Sequence, residues 1–270
     1  PPRVQAAIDS GLDWLRRHQD DDGKWDCDDF FKHSQIDYTK VSEDEVFGSG
    51  SPTHDVGVTG LALLALIGGN STAPAADDLD RIRRASEWLC GQQDPDGGLI
   101  GMMASHAYIY DQAIAVWALV LAEPLVGTSE VREGVKLGVR YLEAHRNPNA
   151  VWRYEPRDGQ NDTSVTTWCV LALAAAKRHG HAVDPAVFEG ASVWGGSMTD
   201  SSTGRIGYLE RGGVAGRRPG LHEKRFPRDR SEAMTAGGLC LRALTEQPGH
   251  PGTLGRSLDL VASKPPIWDP

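Results

Sequence analysis

The sequence of 270 residues has no long hydrophobic run and no excess of positive charge. No stretch approaches the roughly 20 uninterrupted apolar residues of a membrane-spanning helix, so no transmembrane segment is predicted. Lysine and arginine total 28 against 37 acidic residues, which gives a net charge of −9. Because nucleic-acid-binding proteins need a dominant basic surface to meet phosphates, the composition argues against a nucleic-acid partner.

Cysteine is scarce, with only Cys27, Cys90, Cys169 and Cys240 in the chain. Their wide, irregular spacing resembles neither a disulfide framework nor a paired Cys-x-x-Cys metal site. We therefore expect free thiols, which slightly favours a cytoplasmic location. The chain starts at Pro1 rather than at a methionine. An upstream signal or anchor, and a longer parent chain, therefore both stay open.

Several catalytic motifs are also missing. The sequence contains no P-loop, no Ser-His-Asp elbow and no Gly-Cys-Gly-Glu-Gln thioester element. No Asp, Cys and His combination has the spacing of zinc ligands, so no metal ligand is assigned. The sequence therefore indicates more about architecture than about a reaction.

An internal repeat is present instead. Four segments carry an aromatic residue near the end of an amphipathic helix, followed by a polar turn; the aromatic residues are Trp14, Trp88, Tyr141 and Trp194. The last three lie 53 residues apart. Periods of this length are typical of stacked helix pairs.

A second series of helices alternates with the first. These helices are apolar nearly all round, so we expect them to be buried, with the amphipathic series facing solvent. Two concentric layers of helices predict an all-α fold in one domain over 1–270. Curved stacking of the pairs gives a solenoid or a closed ring, and we favour an α/α toroid of the six-hairpin type. The pairs number about five, short of the six that a closed ring expects, so an open or abbreviated ring is an alternative; insertions are predicted at 26–52 and 199–230.

The turns carry a family resemblance. Gln19-x-x-x-Gly23-x-Trp25, and less closely Gln93-x-x-x-Gly97-x-Leu99, resemble the QW repeat of squalene–hopene cyclases and related terpene cyclases. The buried helices resemble those of bacterial prenyltransferase/squalene-oxidase repeat proteins, over roughly residues 5–262. The resemblance implies that the Gln caps a helix end while the Trp stacks on it. It assigns a structural role to Gln19, Gly23, Trp25, Gln93 and Gly97.

One short motif in the first insertion bears on chemistry. Asp26-Cys27-Asp28-Asp29 is similar to the acid motif of the protonating terpene cyclases, which implies that Asp28 is a general acid. The motif follows a QW tryptophan rather than opening a buried helix, and a solvated acidic loop explains it more simply. Asp20, Asp22, Gly23 and Asp29 have offsets like those of a calcium-binding loop. No cofactor is expected, with Mg²⁺ or Ca²⁺ as the alternative.

Acids also open the four buried helices, at Asp55, Asp111, Asp162 and Glu232. If the ring closes, these ends gather at one mouth of a central cavity, together with His54 and Tyr110. We favour helix capping as their role. The alternative is acid/base work by Asp55, Asp111 and Asp162, with His54, Tyr110 and Glu232 contacting a substrate.

The second insertion is basic, with a net charge of +5 between Arg211 and Arg230. Arg217, Arg218 and Arg225 are candidates for binding an anion such as pyrophosphate. A contact with the acidic insertion, or a solvated loop, accounts for the charge equally well.

The resemblance implies a protein that binds an isoprenoid or other lipid in an apolar cavity lined by Trp117 and Trp168. Their aromatic faces would stabilise a cation. One alternative is a non-catalytic scaffold that binds protein, lipid or glycan through its rim loops. Another is a toroidal polysaccharide lyase or hydrolase. Whether the protein is an enzyme, and its oligomeric state, stay open.

Overall fold

The computed structural model describes residues 2–34, 50–69, 74–216, 220–245 and 251–264. Within these ranges the fold is all-α, as predicted, and contains no strand, only two isolated β-bridges. The helices are α1 (Pro2–Arg17), α2 (Asp55–Gly69), α3 (Ala76–Gly91), α4 (Tyr108–Val126), α5 (Ser129–His145), α6 (Thr163–Arg178), α7 (Ala186–Met198), α8 (Leu221–Arg225), α9 (Ala233–Leu244) and α10 (Pro251–Ala262).

The chain forms two compact units. Unit 1 contains residues 1–144 and 175–182, and unit 2 contains residues 145–174 and 183–270. In unit 1, α2 and α4 form the core and contact each other along their length. The prediction of a single domain over 1–270 stays a prediction.

The outer helix α3 has the predicted amphipathic character. On α3, Ile82, Ala85 and Leu89 are fully buried. The opposite side of the same helix carries Arg83 and Glu87, which pair with each other in solvent. A helix with one apolar stripe is stabilised by burying that stripe against the core, and its polar face accounts for its outer position.

Each polar turn is joined to an inner helix by the same buried hydrogen bond. In each repeat, the backbone N–H of one residue at the end of the turn donates to a polar side chain within the inner helix. The four donor–acceptor pairs are Trp25 with Thr59, Ile100 with Gln112, Trp152 with Thr166 and Ile206 with Thr235, at 2.9, 2.7, 3.3 and 3.3 Å. All four acceptor residues are fully buried. This inner joint aligns the four repeats.

A second joint connects three of the turns to the following outer helix. The Gln19 amide donates to the carbonyl oxygens of Gly23 and Arg81, at 2.9 and 3.0 Å. The Gln93 amide repeats this arrangement with Gly98 and Gly134. In the third repeat, Arg146 replaces the glutamine and donates to Ala150 and Ala186. One long polar side chain per turn therefore links two successive repeats.

The geometry corrects two details of the QW interpretation. Gln19 was expected to cap a helix end, but its amide reaches the interior of α3. The indole N–H of Trp25 instead donates to the Leu15 carbonyl, one of the last four carbonyls of α1, at 2.9 Å.

The glycine assignment also changes, from Gly97 to Gly98. Gly98 has φ of 83° and lies against the backbone of Leu137 in α5, as Gly23 (φ of 104°) lies against Arg84 in α3. A Cβ at either position would collide with that backbone. Glycine is therefore required both by the positive φ angle and by the close backbone contact. Gly97 is exposed and its N–H donates to the Asp94 carboxylate.

Helix α4 meets the length and composition criteria for a membrane span, with a mean hydropathy of 1.4. It is the one such helix in the ranges that the structure describes. However, 67% of the segment is buried against other helices. This burial is typical of a core helix in a helical repeat protein.

Candidate functional site

Three carboxylates meet where the first insertion reaches the start of α2. Oxygens of Asp26, Asp28 and Asp55 lie within 4.8 Å of one another. The Lys24 ammonium lies 2.8 Å from Asp26 and 2.7 Å from Asp55. The Cys27 N–H also donates to Asp55, at 2.8 Å. We call Lys24, Asp26, Asp28 and Asp55 the unit 1 acid cluster; a protein cation already neutralises part of its charge.

The members of this cluster have different affinities for a proton. Burial acts to raise the pKa of Asp26, but Lys24 and the N–H groups of Asp28 and Asp29 outweigh it and lower that pKa to about 2. The pKa of Asp28 is raised by desolvation and by the charges of Asp26 and Asp55. Asp28 therefore takes up a proton more readily than Asp26 does.

The calcium-like offsets do not produce a converging set of ligands. The Asp20 carboxylate accepts from Lys32 and His33, at 2.7 and 2.6 Å. Asp22 accepts the backbone N–H of Lys24. Within the described ranges, only Asp26, Asp28 and Asp55 bring three acidic ligands together.

Asp111 differs from the predicted helix cap. It lies in the first turn of α4, which begins at Tyr108, and its carboxylate pairs with His54 Nδ1 at 2.9 Å. The side chain also packs against Gly57 of α2, where a Cβ would collide with it. Burial raises the pKa of Asp111, and the hydrogen bond and charge of His54 oppose that rise.

Two other acids also lack a capping role. Asp55 binds Lys24 and the Cys27 N–H rather than its own helix. Glu232 makes no capping hydrogen bond; it pairs with Arg205 and accepts from the Thr235 hydroxyl at 2.8 Å. Capping was therefore the wrong interpretation for Asp55, Asp111 and Glu232.

Asp162 is the acid that does cap its helix. Its carboxylate accepts the Val165 N–H at 2.7 Å, at the start of α6. The Tyr208 hydroxyl donates to the other oxygen at 3.3 Å and is itself hydrogen-bonded to Tyr154 at 2.7 Å. Arg153 lies 3.7 Å away. Asp162 is fully buried, and burial raises its pKa to about 6 despite these partners.

The aromatic candidates lie on the accessible sides of inner helices. Tyr110 and Trp117 of α4 are half-buried in unit 1, and Trp168 of α6 is half-buried in unit 2. Leu61 of α2 has 46% of its surface exposed, although most of that helix is buried.

The basic segment is only partly described. Arg217 and Arg218 lie outside the described residues. The Arg225 guanidinium lies 5.5 Å from the ring centroid of Phe226. A groove nearby is lined by Glu223, Lys224, Arg228 and Asp229 among others, and Arg228 pairs with Glu223. Its acids and bases balance, so nothing in this part of the segment favours an anion site.

Comparison with known proteins supplies the family. The family model described as the squalene-hopene cyclase C-terminal domain matches residues 3–191. The chain belongs to this family. It is also 25% identical over 133 residues to a lanosterol synthase from Candida albicans. That alignment covers 47% of this chain and 18% of the synthase. No solved structure matches the chain significantly.

The predicted relationship to terpene cyclases is therefore confirmed, and the cyclase family match ends before α8, α9 and α10.

Sequence reasoning missed the partners of the acids: Lys24, Tyr154, Arg205 and Tyr208. Thr59, Gln112, Thr166 and Thr235 were missed as well, although each interrupts an apolar helix. An isolated polar residue in a buried helix requires a partner, and this was the available signal.

Proposed function

We propose that this chain binds an isoprenoid or another elongated lipid on an apolar surface formed by α2 and α4. The observation that carries the proposal is that these two core helices leave apolar and aromatic side chains accessible on a common side. On α2 the accessible residues of this side are Val58, Leu61 and Ala65; on α4 they are Tyr110, Trp117 and Leu121. We call these six residues the apolar face.

The two helices present these residues on the same side. Gly57 contacts Asp111, and Gly60 contacts Ile114, so α2 and α4 run parallel. At 100° per residue, the accessible residues lie about a quarter turn from these contacts on each helix. The rotation about the helix axis from the contact residues to the accessible residues has opposite senses on α2 and α4. In two parallel helices that face each other, opposite rotations bring both sets of accessible residues to the same side of the pair. The apolar face is therefore continuous across the two helices.

The composition of the apolar face favours a lipid over a sugar polymer. Neither α2 nor α4 contains a lysine or arginine, and Trp117 and Tyr110 provide aromatic area. Burying apolar surface contributes about 25 cal/mol per Å², which a hydrocarbon chain exploits along its whole length. A polysaccharide lyase or hydrolase needs basic residues in an open groove, and the apolar face has none.

For a catalytic form of this function we propose Asp28 as the acid. Membership of the squalene–hopene cyclase family supports proton-initiated chemistry, and Asp28 holds its proton more tightly than Asp26 does. The carboxylic acid would give its proton to an alkene carbon, leaving a carboxylate on Asp28 and a carbocation on the lipid. Aromatic faces such as Trp117 stabilise such a cation.

A non-catalytic lipid-binding scaffold is the second candidate. It is favoured by the pairing of the acids, since Lys24 neutralises Asp55, His54 pairs with Asp111 and Arg205 pairs with Glu232. Acids held in ion pairs stabilise a fold without taking part in a reaction. The two candidates share the apolar face and differ in whether Asp28 transfers a proton.

The test is incubation of the chain with C15, C20 and C30 isoprenoids, followed by gel filtration and mass spectrometry of the extracted lipid. We expect the wild type to retain lipid and Leu61→Asp to lose about tenfold or more of it. Leu79→Asp is the matched control, because Leu79 is an exposed leucine on the outer helix α3. Absence of lipid in the wild type, or equal retention by Leu61→Asp, would overturn the proposal.

Product analysis separates the two candidates. A cyclised or hydrated product that disappears in Asp28→Asn supports the catalytic form. Lipid retained unchanged by both proteins supports the scaffold.

A further inference from the structure

A groove of about 210 Å³ lies between α7, α9 and α10, within unit 2 and largely outside the family match. Its lining is rich in hydroxyl groups and includes one guanidinium: Ser192, Thr199, Ser201, Thr245, Thr253 and Arg242. No acid is among the described residues that line it. We call this the Arg242 groove.

The repeat register explains why the groove exists. Gln19, Gln93 and Arg146 each lie five residues after the aromatic residue of their helix and bridge to the next outer helix. In the fourth repeat the same register position, five residues after Trp194, holds Thr199. A threonine is too short to reach the next outer helix, so the space of the bridging side chain stays open.

A second change widens this space. The residue directly after the aromatic is Leu89 on α3 and Leu142 on α5, both fully buried. On α7 the residue at this position is Gly195, which lines the groove. Replacing leucine by glycine removes a whole side chain from the floor of the site.

The third change introduces the positive charge. Seven residues after the inner-joint acceptor, three inner helices carry fully buried leucines: Leu66, Leu119 and Leu173. The same position in α9 is Arg242. The fourth repeat therefore has a cationic side chain beside a cavity where the other three repeats have a buried leucine. Apolar packing gives no reason for an arginine at this position.

Arg242 lacks a counter-charge among the described residues. Its Nη2 donates to the Thr199 hydroxyl at 2.8 Å, while its buried Nε has no acceptor. Three other described arginines have a buried Nε without an acceptor, and each has a carboxylate within 4.0 Å: Arg81 with Asp78, Arg146 with Asp184, and Arg153 with Asp162. Arg242 has no such carboxylate in the described ranges, so its guanidinium is free to bind an anion.

A second arginine stands at the edge of the groove. Arg256 donates to the Ser201 carbonyl at 2.6 Å and to the Thr253 hydroxyl at 3.4 Å. It makes no ion pair with the described residues. The carboxylate of the neighbouring Asp200 accepts from the hydroxyls of Ser202 and Thr203 in its own turn, and it makes no ion pair with Arg242 or Arg256.

We propose that the Arg242 groove binds a phosphate group, either inorganic phosphate or the phosphate of an organic monoester. A guanidinium fork provides parallel N–H donors to two phosphate oxygens, and threonine and serine hydroxyls satisfy the remaining ones. The ligand occupies the space that a glutamine or arginine side chain fills in the other repeats, and links the fourth turn to α10 as that side chain would.

The test is calorimetric titration of the full chain with sodium phosphate and with phenyl phosphate, at ionic strength held constant with sodium chloride. We expect saturable binding to the wild type, weakened about tenfold or more in Arg242→Leu. Tighter binding of phenyl phosphate identifies the monoester as the ligand class, and equal or tighter binding of inorganic phosphate identifies the free ion. Absence of saturable binding by either compound overturns the proposal.

Two further variants keep the test independent of folding. Arg242→Leu restores the residue of the other repeats, so we expect its melting temperature without phosphate to equal or exceed that of the wild type. Thr199→Gln restores the bridging side chain and should abolish binding by filling the groove. Arg17→Leu removes an exposed arginine from α1 and should leave binding unchanged. Full affinity in Arg242→Leu would overturn the proposal.

Discussion

The acid cluster of unit 1 and the buried acid of unit 2 begin from similar sequence, but the pKa shifts of Asp26 and Asp162 have opposite directions. In both, an aspartate stands at the start of an inner helix: Asp55 for α2 and Asp162 for α6. In unit 1 a lysine lies between the acids, and the pKa of Asp26 falls to about 2. In unit 2 the nearest partners are an N–H and a tyrosine hydroxyl, and burial raises the pKa of Asp162 to about 6.

The difference teaches that the partners of an acid, rather than a helix start nearby, determine the direction in which its pKa moves. A helix N-terminus favours the carboxylate by roughly 0.3–1 kcal/mol. Full burial outweighs this at Asp162, because the charged form loses its solvation and the Nε of Arg153, 3.7 Å away, makes no hydrogen bond to it. At Asp26 and Asp55 the ammonium of Lys24 compensates that loss.

Removing the cation from unit 1 should produce the largest effect. In Lys24→Met, Asp26 and Asp55 face each other without compensation, so we expect the free energy of unfolding at pH 7 to fall by about 3–5 kcal/mol. The loss should diminish below pH 4, as the acids take up protons. Urea unfolding at pH 7 and pH 4 measures both effects.

Lys32→Met provides the matched control for this variant. Lys32 bonds to Asp20, but 37% of its side chain is exposed, against 20% for Lys24. Exposed ion pairs contribute roughly 0–1 kcal/mol, so its loss should be small. Equal destabilisation by the two variants would contradict the importance of the buried position of Lys24.

The pH dependence of stability should be the next largest effect, with opposite signs in the two regions. The folded chain binds a proton at Asp162 more tightly than the unfolded chain does. This contribution is therefore complete below about pH 4 and is lost as the pH rises through 6. Two pKa units correspond to about 3 kcal/mol. Asp26 contributes in the other direction, since its stabilisation is present above pH 4 and lost as the pH falls towards 2.

Asp162→Asn isolates the unit 2 contribution. Asparagine keeps an acceptor for the Val165 N–H but does not titrate. We expect the difference in unfolding free energy between wild type and variant to change by about 3 kcal/mol between pH 4 and pH 7, in favour of the variant at high pH. A constant difference across this range would show that Asp162 does not hold a proton in the folded state.

Part of this architecture could be predicted from the sequence. The 53-residue spacing of Trp88, Tyr141 and Trp194 predicts the repeat, because each repeat is a helix pair of similar length. The apolar composition of α2 and α4 predicts their burial. The positions of the acids along the inner helices could not be predicted in the same way. Aligned on the inner joint, Asp55 and Asp162 occupy one position, whereas Tyr108 replaces Asp111 and Ser231 replaces Glu232.

The chemical partners of the acids were beyond sequence reasoning for a different reason. Lys24 approaches Asp55 from 31 residues away and Tyr208 approaches Asp162 from 46 residues away. Both come from turns whose path is determined by tertiary contacts. The local sequence pattern predicts where a helix starts, but the pKa of an acid depends on residues that only the fold brings close to it.

The smallest predicted effect tests the hydroxyl partner of Asp162. In Tyr208→Phe the carboxyl loses one hydrogen bond, and we expect a loss of about 1 kcal/mol in stability. Because that bond favours the charged form of Asp162, its removal should raise the pKa further. The pH at which stability falls should therefore move upwards in unfolding curves. Tyr154→Phe leaves the Tyr208–Asp162 bond in place and should shift the curve less. An equal shift in both variants would mean that the hydroxyl pair acts as one unit, rather than through the direct contact of Tyr208 with the carboxylate.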